Sequence, residues 1–545
     1  MKMGTSRDTY VKLVDQFSAF LLKTSPVTAT YVGIHEFDED LADLSEEALK
    51  ARQQKLAEFK KSFKALGKFD ATRDDLIDLN LILGRIELEQ ILYKKYPVHK
   101  LLPDLYLNEI LFGVYALITR DFAPIRDRAL SATRRLVQAP NVLRHARKNL
   151  VNPPEIFVES ALHTATGAVH FLNTAIPEFA TGIRGALREA LLEASEEAVE
   201  ELEKFSLHLK ETLLPKAKNE FAIGKDLYND LLRVQHHLPH TTDALLRLAR
   251  KAMKETEDEL NKVADSIQRG KGWQKVLENQ KKDHPAAKGL VSAYEKEMAR
   301  ARKFVATGNI ATIPEKDNIE VVPTPPFARG LIATAAYIPP APLDADSKGF
   351  FWVSVPNDAQ REEAIARLKG HSKWFLPIVA VHEAYPGHHL QQLRVREHKR
   401  LVRYLIETPT FSEGWALYCE EMMDREGYTD DPRERLFRLS GKLLRACRVL
   451  VDVGLHSKTM KINQAVKTLV ETAGLEQASA EAEVRWACQN PTQPMSNLIG
   501  MLEIQTLLAD VKKKRGSEFS LKAFHDELLS HGTLPVSMLR PLLGV

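Results

Sequence analysis

Apolar residues recur along most of this chain at three- and four-residue intervals, the period of helices that bury one face. From residue 1 to about 310 nearly every segment carries that period. The first places Tyr10, Leu13, Val14, Phe17, Phe20 and Leu21 on one side and reads as an amphipathic helix. Ser45 opens a charged helix to about Leu66. Thr72-Arg-Asp-Asp75 reads as a capping box before DLIDLNLILGRIELEQIL, whose apolar residues occupy more than one face and predict a well-buried helix. Pro103, Pro140 and Pro153-Pro154 mark helix starts or boundaries. Ser195 to Leu214 and Thr242 to Gly270 read as long helices with solvated, charged faces.

The pattern changes between Ile310 and Asn357, where prolines cluster and β-branched and aromatic residues come in short runs. Strands are expected at Ile319 to Val322, Leu331 to Ile338 and Phe350 to Ser354, some of them confined to edges by proline. Such an edge can hold an extended substrate by main-chain hydrogen bonds, with Tyr337 as a substrate-binding candidate; a plain structural hairpin fits the same pattern. Helical period then returns: EGWALYCEEMMDREG with Gly427 as a C-cap, Asp431-Pro432 through His456, Ile462 to Ala473, Ala478 to Cys488, Pro494 to Val511, and Leu521 to Ser530. The expected fold class is mainly α with a small β region. It divides into a helical domain 1–310 and a region 311–545 that carries the short strands (311–357) and the candidate chemistry.

Composition adds limits. A hydrophobic share of 44% and a charged share of 27% belong to a globular chain with a sizeable core. A net charge of +3 on 76 basic and 73 acidic residues gives no reason to expect nucleic acid or an anionic membrane surface as a partner. The N-terminal stretch lacks an uninterrupted apolar core, so no signal peptide is expected, and no run approaches 18 apolar residues. Three cysteines, Cys419, Cys447 and Cys488, are few and odd in number, which argues for a reducing compartment and a cytoplasmic address. Oligomeric state is not legible.

The densest chemistry lies in IVAVHEAYPGHHLQQL, residues 378–393. A His-Glu pair on a buried helix, with another His downstream, is how zinc hydrolases set two imidazoles and a general base around one ion. The spacing is not H-E-x-x-H: His388 is six residues beyond His382 and His389 seven. On an unbroken helix His389 would lie roughly 10 Å further along the axis, and His388 would point about 120° away. Neither position serves one ion through bonds of about 2.0–2.1 Å. The helix must therefore break, and Tyr385-Pro386-Gly387 supplies the breaker. A two-residue bulge there restores one-turn geometry for His388, whereas His389 needs three residues looped out. His382 and His388 are the expected zinc ligands and Glu383 the base. His389, about 100° round the helix, is left to reach substrate or Glu420. A kinked core helix with incidental histidines is the plainer alternative.

A catalytic zinc keeps one position open and takes a third protein ligand. Glu413, which begins a helix after Pro409, is favoured over Glu420 and Glu421. Glu420, seven residues on and roughly on the same helical face, suits a hydrogen bond to an imidazole N–H. Asp452 and His456 form an i, i+4 pair on the otherwise apolar RACRVLVDVGLH. They stabilise a transition state, orient a ligand, or form a satisfied structural pair. Arg445 and Arg448 suit a substrate carboxylate or a structural salt bridge, and Arg485 carries the same two readings.

At HEAYPGHHLQ, FSEGWALYCEE, RACRVLVDVGLH and RWACQNPTQPMSNLIG the chain resembles the bacterial family labelled domain of unknown function 885, most specifically from about Tyr337 onward. That resemblance implies a zinc metallopeptidase with a large multi-helical, zincin-like fold similar to angiotensin-converting enzyme, oligopeptidases and thermostable carboxypeptidases. It implies a deep active-site channel, with residues 1–310 forming part of its wall. It also implies a third ligand about two dozen residues after the second His, which maps onto Glu413. One departure stands out: Asn497 occupies the place of a family tyrosine, so any oxyanion support there must come from its amide. The expectation is a Zn2+-dependent hydrolase of short peptides. A zinc hydrolase of a non-peptide amide or ester, or a non-catalytic helical scaffold, are the alternatives.

Overall fold

Capping chemistry sets many of the helix starts. In the computed structural model, which describes residues 7–325, 332, 334–344, 348–356, 361–406 and 408–545, Ser45 accepts from the Ala48 N–H at the head of helix Glu46–Ala65. Thr72 and Asp75 form the reciprocal capping box of helix Arg73–Lys94. Two compact units result. One comprises Met1–Ile223, Ala341–Ser347 and Arg400–Ile406, the other Gly224–Pro340, Lys348–Lys399 and Glu407–Val545. This division lies well before the boundary expected near residue 310. The reason is that helix Thr242–Ile267 packs along helix Pro432–His456 in the second unit.

In the first unit, helix Arg7–Thr24 buries Tyr10, Phe17 and Leu21 as its pattern requires. Helix Arg73–Lys94 departs from its pattern: Leu76 is exposed, and Asp75 and Asp78 are buried. Those acids are held by cations returned late in the chain. Arg403 donates to Asp78 at 2.6 Å and to Asp74 at 2.6 Å, while Arg400 reaches Asp75 at 3.0 Å and Asp78 at 2.6 Å. Pro140 is no boundary, since it lies inside helix Ile125–Asn149. Pro103 and Pro154 do precede helices. The segment read from Ser195 begins earlier, as helix Ala186–Leu207, and ends in a π-helical turn, His208–Leu213.

In the second unit the three strands form one sheet: β1 (Ile319–Pro323), β2 (Ala335–Ile338) and β3 (Gly349–Val353), in the order β1-β3-β2. β1 runs parallel to β3 and β2 antiparallel to it, with Tyr337 opposite Phe351. Pro326, Leu331, Ala333 and Asn357, which the sequence reading included, lie outside the described residues. Helices Leu376–Glu383, His388–Val395, Pro409–Arg425, Pro432–His456, Gln477–Gln489 and Ser496–Arg515 follow. Two of these cross almost backbone to backbone. A Cβ on Gly414 would lie 2.4 Å from the Gly500 carbonyl carbon, and one on Gly500 would lie 1.8 Å from the Thr410 oxygen. No single described helix is long and apolar enough to cross a membrane; only Arg73–Leu101 with Asp104–Thr119, bent by 83°, passes that test jointly.

Candidate metal centre

The helix that carries His382 is apolar on every side, and Leu376 through His382 are buried. It stops at Glu383, and a second helix begins at His388. Between them Tyr385–Pro386 is a cis peptide, Gly387 N–H donates to the Val381 carbonyl at 3.0 Å, and Leu390 N–H donates to Ala384 at 3.3 Å. Gly387 has a negative φ of −67°. Its lack of a side chain matters through close approach, because a Cβ there would sit 2.0 Å from the His382 carbonyl oxygen. The break turns His388 back on His382, with ring centroids 5.0 Å apart and planes at 87°.

Glu413 completes the cluster. One ligand atom each of His382, His388 and Glu413 lies within 4.8 Å of the other two. Two of its three members are tied from behind. His382 donates from Nδ1 to Glu420 at 2.7 Å, which leaves Nε2 for an ion. Asn497 donates its amide to Oε2 of Glu413 at 2.7 Å, leaving Oε1. Trp415, fully buried, donates its indole N–H to the Pro386 carbonyl at 2.9 Å and so binds the helix of Glu413 to the break itself. Burial acts to raise the Glu413 carboxyl, but His388, His382 and the Asn497 amide together hold it below the ordinary range. Burial opposes charge on His382, yet Glu420 holds its pKa above the usual imidazole value. Two imidazoles and a carboxylate, preorganised and partly buried, are a donor set that suits zinc. Beside them, the half-buried Glu383 accepts the Tyr337 backbone N–H at 2.8 Å.

A cavity of about 670 Å³ opens onto this cluster, lined by His388, Glu413, Asn497, Tyr337, Arg448, Glu483 and Trp486 among others. Arg448 donates from Nε and Nη2 to the two Glu483 oxygens at 2.8 and 2.6 Å, with its guanidinium 5.8 Å from the Trp486 ring centre.

Other expected site residues lie elsewhere. His389 does not face the cavity. It is fully buried, with Nε2 on Asp317 at 2.8 Å and Nδ1 on the Tyr337 hydroxyl at 3.0 Å. Both ring nitrogens are committed, so it is available neither to substrate nor to Glu420. Asp317 stays ionised despite burial, its carboxyl held at about 2 by His389, Tyr385 and Arg302. Asp452 and His456 are also fully buried and absent from the cavity wall. Asp452 accepts the Tyr228 hydroxyl at 2.8 Å and the Thr492 N–H at 3.3 Å, and His456 Nε2 donates to the Ala487 carbonyl at 2.9 Å. Burial pushes the Asp452 carboxyl up to about 8 and His456 down to about 4. Their helix turns this face to Tyr228 and the Thr492 loop, which is why the pair does not meet the cluster. Arg485 is likewise outside the lining, and Glu483 and Trp486 of its helix take that place. Arg445 stays within 3.9 Å of Glu420. Asn497 lines the cavity, but one of its amide N–H groups serves Glu413 and not an oxyanion.

Sequence reasoning missed Asp317, the Trp415 bond and Glu483. Asp317 precedes β1 in an irregular stretch, and no periodicity links it to His389.

Residues 26–543 match the profile of a family described as "Bacterial protein of unknown function (DUF885)". Two solved structures share the fold. One is "a putative lipoprotein of unknown function from Shewanella oneidensis", with TM-score 0.82 and 24% identity, covering 98% of this chain and 99% of that one. The other is "the putative lipoprotein from Colwellia psychrerythraea", with TM-score 0.83 and 19% identity, covering 98% of each chain. No curated protein matches. The lipoprotein description of both neighbours overturns the cytoplasmic expectation. The inference from cysteine had a weak footing: Cys419, Cys447 and Cys488 are all buried and unpaired, and such thiols are inert core residues wherever the protein resides.

Proposed function

The chain belongs to the DUF885 family, and we propose that it is a zinc-dependent hydrolase that cleaves the amide bonds of short peptides. The observation that carries this reading is the convergence of His382 with His388 and Glu413, the latter two in the wall of a cavity large enough for a small substrate. His382, His388 and Glu413 would hold the ion. When bound, zinc supplies Lewis acidity and lowers the pKa of a water to about 7.

The chain's own residues do the rest. Glu383 accepts the proton of the attacking water, and its carboxylate is held in place by the Tyr337 N–H. Glu420 fixes the tautomer and ring plane of His382. Asn497 holds Glu413 to a single carboxylate rotamer. The zincin-like character of the fold and a channel extending from the cavity belong to this same proposal. So does location: carried to this chain, the description of its neighbours makes it a protein that works attached to a membrane or exported across one.

Purified protein should carry about one zinc per chain and hydrolyse short peptides until a chelator is added. Glu383→Gln should keep the zinc and lose about 10²–10⁴-fold in turnover. Zinc-free protein whose activity ignores chelation would overturn the proposal, as would full turnover by the Glu383→Gln variant.

A further inference from the structure

The far wall of the cavity carries a recognition element of its own. Among the described residues that line it, Arg448 is the one Lys or Arg, and apart from Glu413 its partner Glu483 is the one carboxylate. The two are not equivalent as binding groups. Glu483 uses both oxygens on Arg448, at 2.6 and 2.8 Å. A guanidinium has five N–H donors, so Arg448 keeps three after serving Glu483. The clamp and the adjacent Trp486 ring hold the fork in one orientation. An arginine fixed on one edge and unspent on the other suits a planar, bidentate acceptor, which is the geometry of a carboxylate. The remaining polar lining is neutral amide and hydroxyl from Gln392, Gln493 and Ser412, which supplies donors without a competing negative charge.

Spacing limits what separates that carboxylate from the metal cluster. Arg448 follows Arg445 by three residues, about 4.5 Å along the helix, and Arg445 stands within 3.9 Å of Glu420, the partner of His382. A cavity of about 670 Å³ is about 11 Å across if round, the length of roughly three extended residues.

We infer that Arg448, clamped by Glu483, reads the free C-terminal carboxylate of a short peptide, so that the hydrolase removes one to three residues from that end. The cleavage half of this inference rests on the proposed function; the recognition half does not, because binding is measurable without turnover.

The test uses zinc-loaded full-length protein and one probe in two forms, acetyl-trialanine as free acid and as C-terminal amide. Calorimetry on the Glu383→Gln variant should find the free acid bound at least about tenfold tighter than the amide. Adding Arg448→Met should abolish the difference. Glu483→Gln, which keeps the guanidinium but frees it from its clamp, should shrink the difference without removing it, and thermal melting checks that both variants fold. Equal binding of the two forms, no binding of either up to about 10 mM, or a preference that survives Arg448→Met overturns the inference. Turnover by the unsubstituted protein on the same pair is judged separately. If neither form is cleaved the hydrolase reading fails, and the binding preference still decides the role of Arg448.

Discussion

Two constellations of histidine and carboxylate occupy the second unit, and in sequence they look alike. His382-Glu383 and Asp452-xxx-His456 both sit on apolar helices, with acid and imidazole at short spacing. Only the first is shaped to receive something. Each of its tied side chains spends one polar atom on a protein partner and leaves the other pointing at its neighbours: Nδ1 of His382 on Glu420, Oε2 of Glu413 on Asn497. Around Asp452 the bonds close on the protein itself, through Tyr228, Thr492 and Ala487, and neither Asp452 nor His456 is among the described residues that line the 670 Å³ cavity. Residue type and spacing are therefore not what distinguishes a binding site. Half-satisfied donors that converge on open space are.

The most direct way to break the comparison is to remove a ligand from each constellation. His388→Ala or Glu413→Ala should lower zinc affinity by more than the ~100-fold that loss of a supporting partner costs. His456→Ala should leave zinc stoichiometry intact. Equilibrium dialysis with metal analysis of all three variants decides this, and zinc loss in His456→Ala would erase the distinction. Next in size are the supporting groups. Asn497→Ala and Glu420→Gln should each weaken zinc binding ~10- to 100-fold without abolishing it, read by competition against a chromogenic chelator.

The buried pair should declare itself in stability. A carboxyl whose native pKa of about 8 lies above the unfolded value near 3.9 binds more protons in the folded state. Its contribution is complete below about pH 4 and is lost as pH rises through about 8. Asp452→Asn should flatten that decline, so that denaturation midpoints of variant and parent converge at acid pH and separate toward pH 8. A parallel offset at every pH would show that Asp452 does not titrate in this way. The smallest effect expected is that of Trp415→Phe. It leaves the buried Pro386 carbonyl without its indole partner and should cost about 1–3 kcal/mol of stability by denaturant titration.

How far the sequence reaches is clearest residue by residue. The broken helix follows from the 3.6-residue turn, because no continuous helix brings residues six or seven apart to one point, and the preference for His388 over His389 also needed the two-residue bulge that Pro386-Gly387 allows. The strands near 319–323, 335–338 and 349–353 were legible from β-branched runs between prolines. Glu413 and Glu420 were legible in position because both lie on a helix too apolar to be a surface one. Long-range partners were not. Which face of helix Pro432–His456 meets the cavity depends on helices Lys225–Val234 and Gln477–Gln489, so Arg448 and Arg485 could not be told apart from local pattern. His389 looked available because Asp317 is 72 residues away. Pro140 looked like a boundary because proline usually is one, and tertiary packing overrode it.

The crossing of Gly414 and Gly500 gives the proposed metal cluster a calliper. Glu413 stands next to one jaw and Asn497 one turn before the other, so the reach of amide to carboxylate is inherited from the gap between two backbones. A methyl group on either glycine would open the jaws and draw Asn497 off Glu413, loosening the proposed grip on metal with no polar residue replaced. The tolerance of the centre is machined into its main chain.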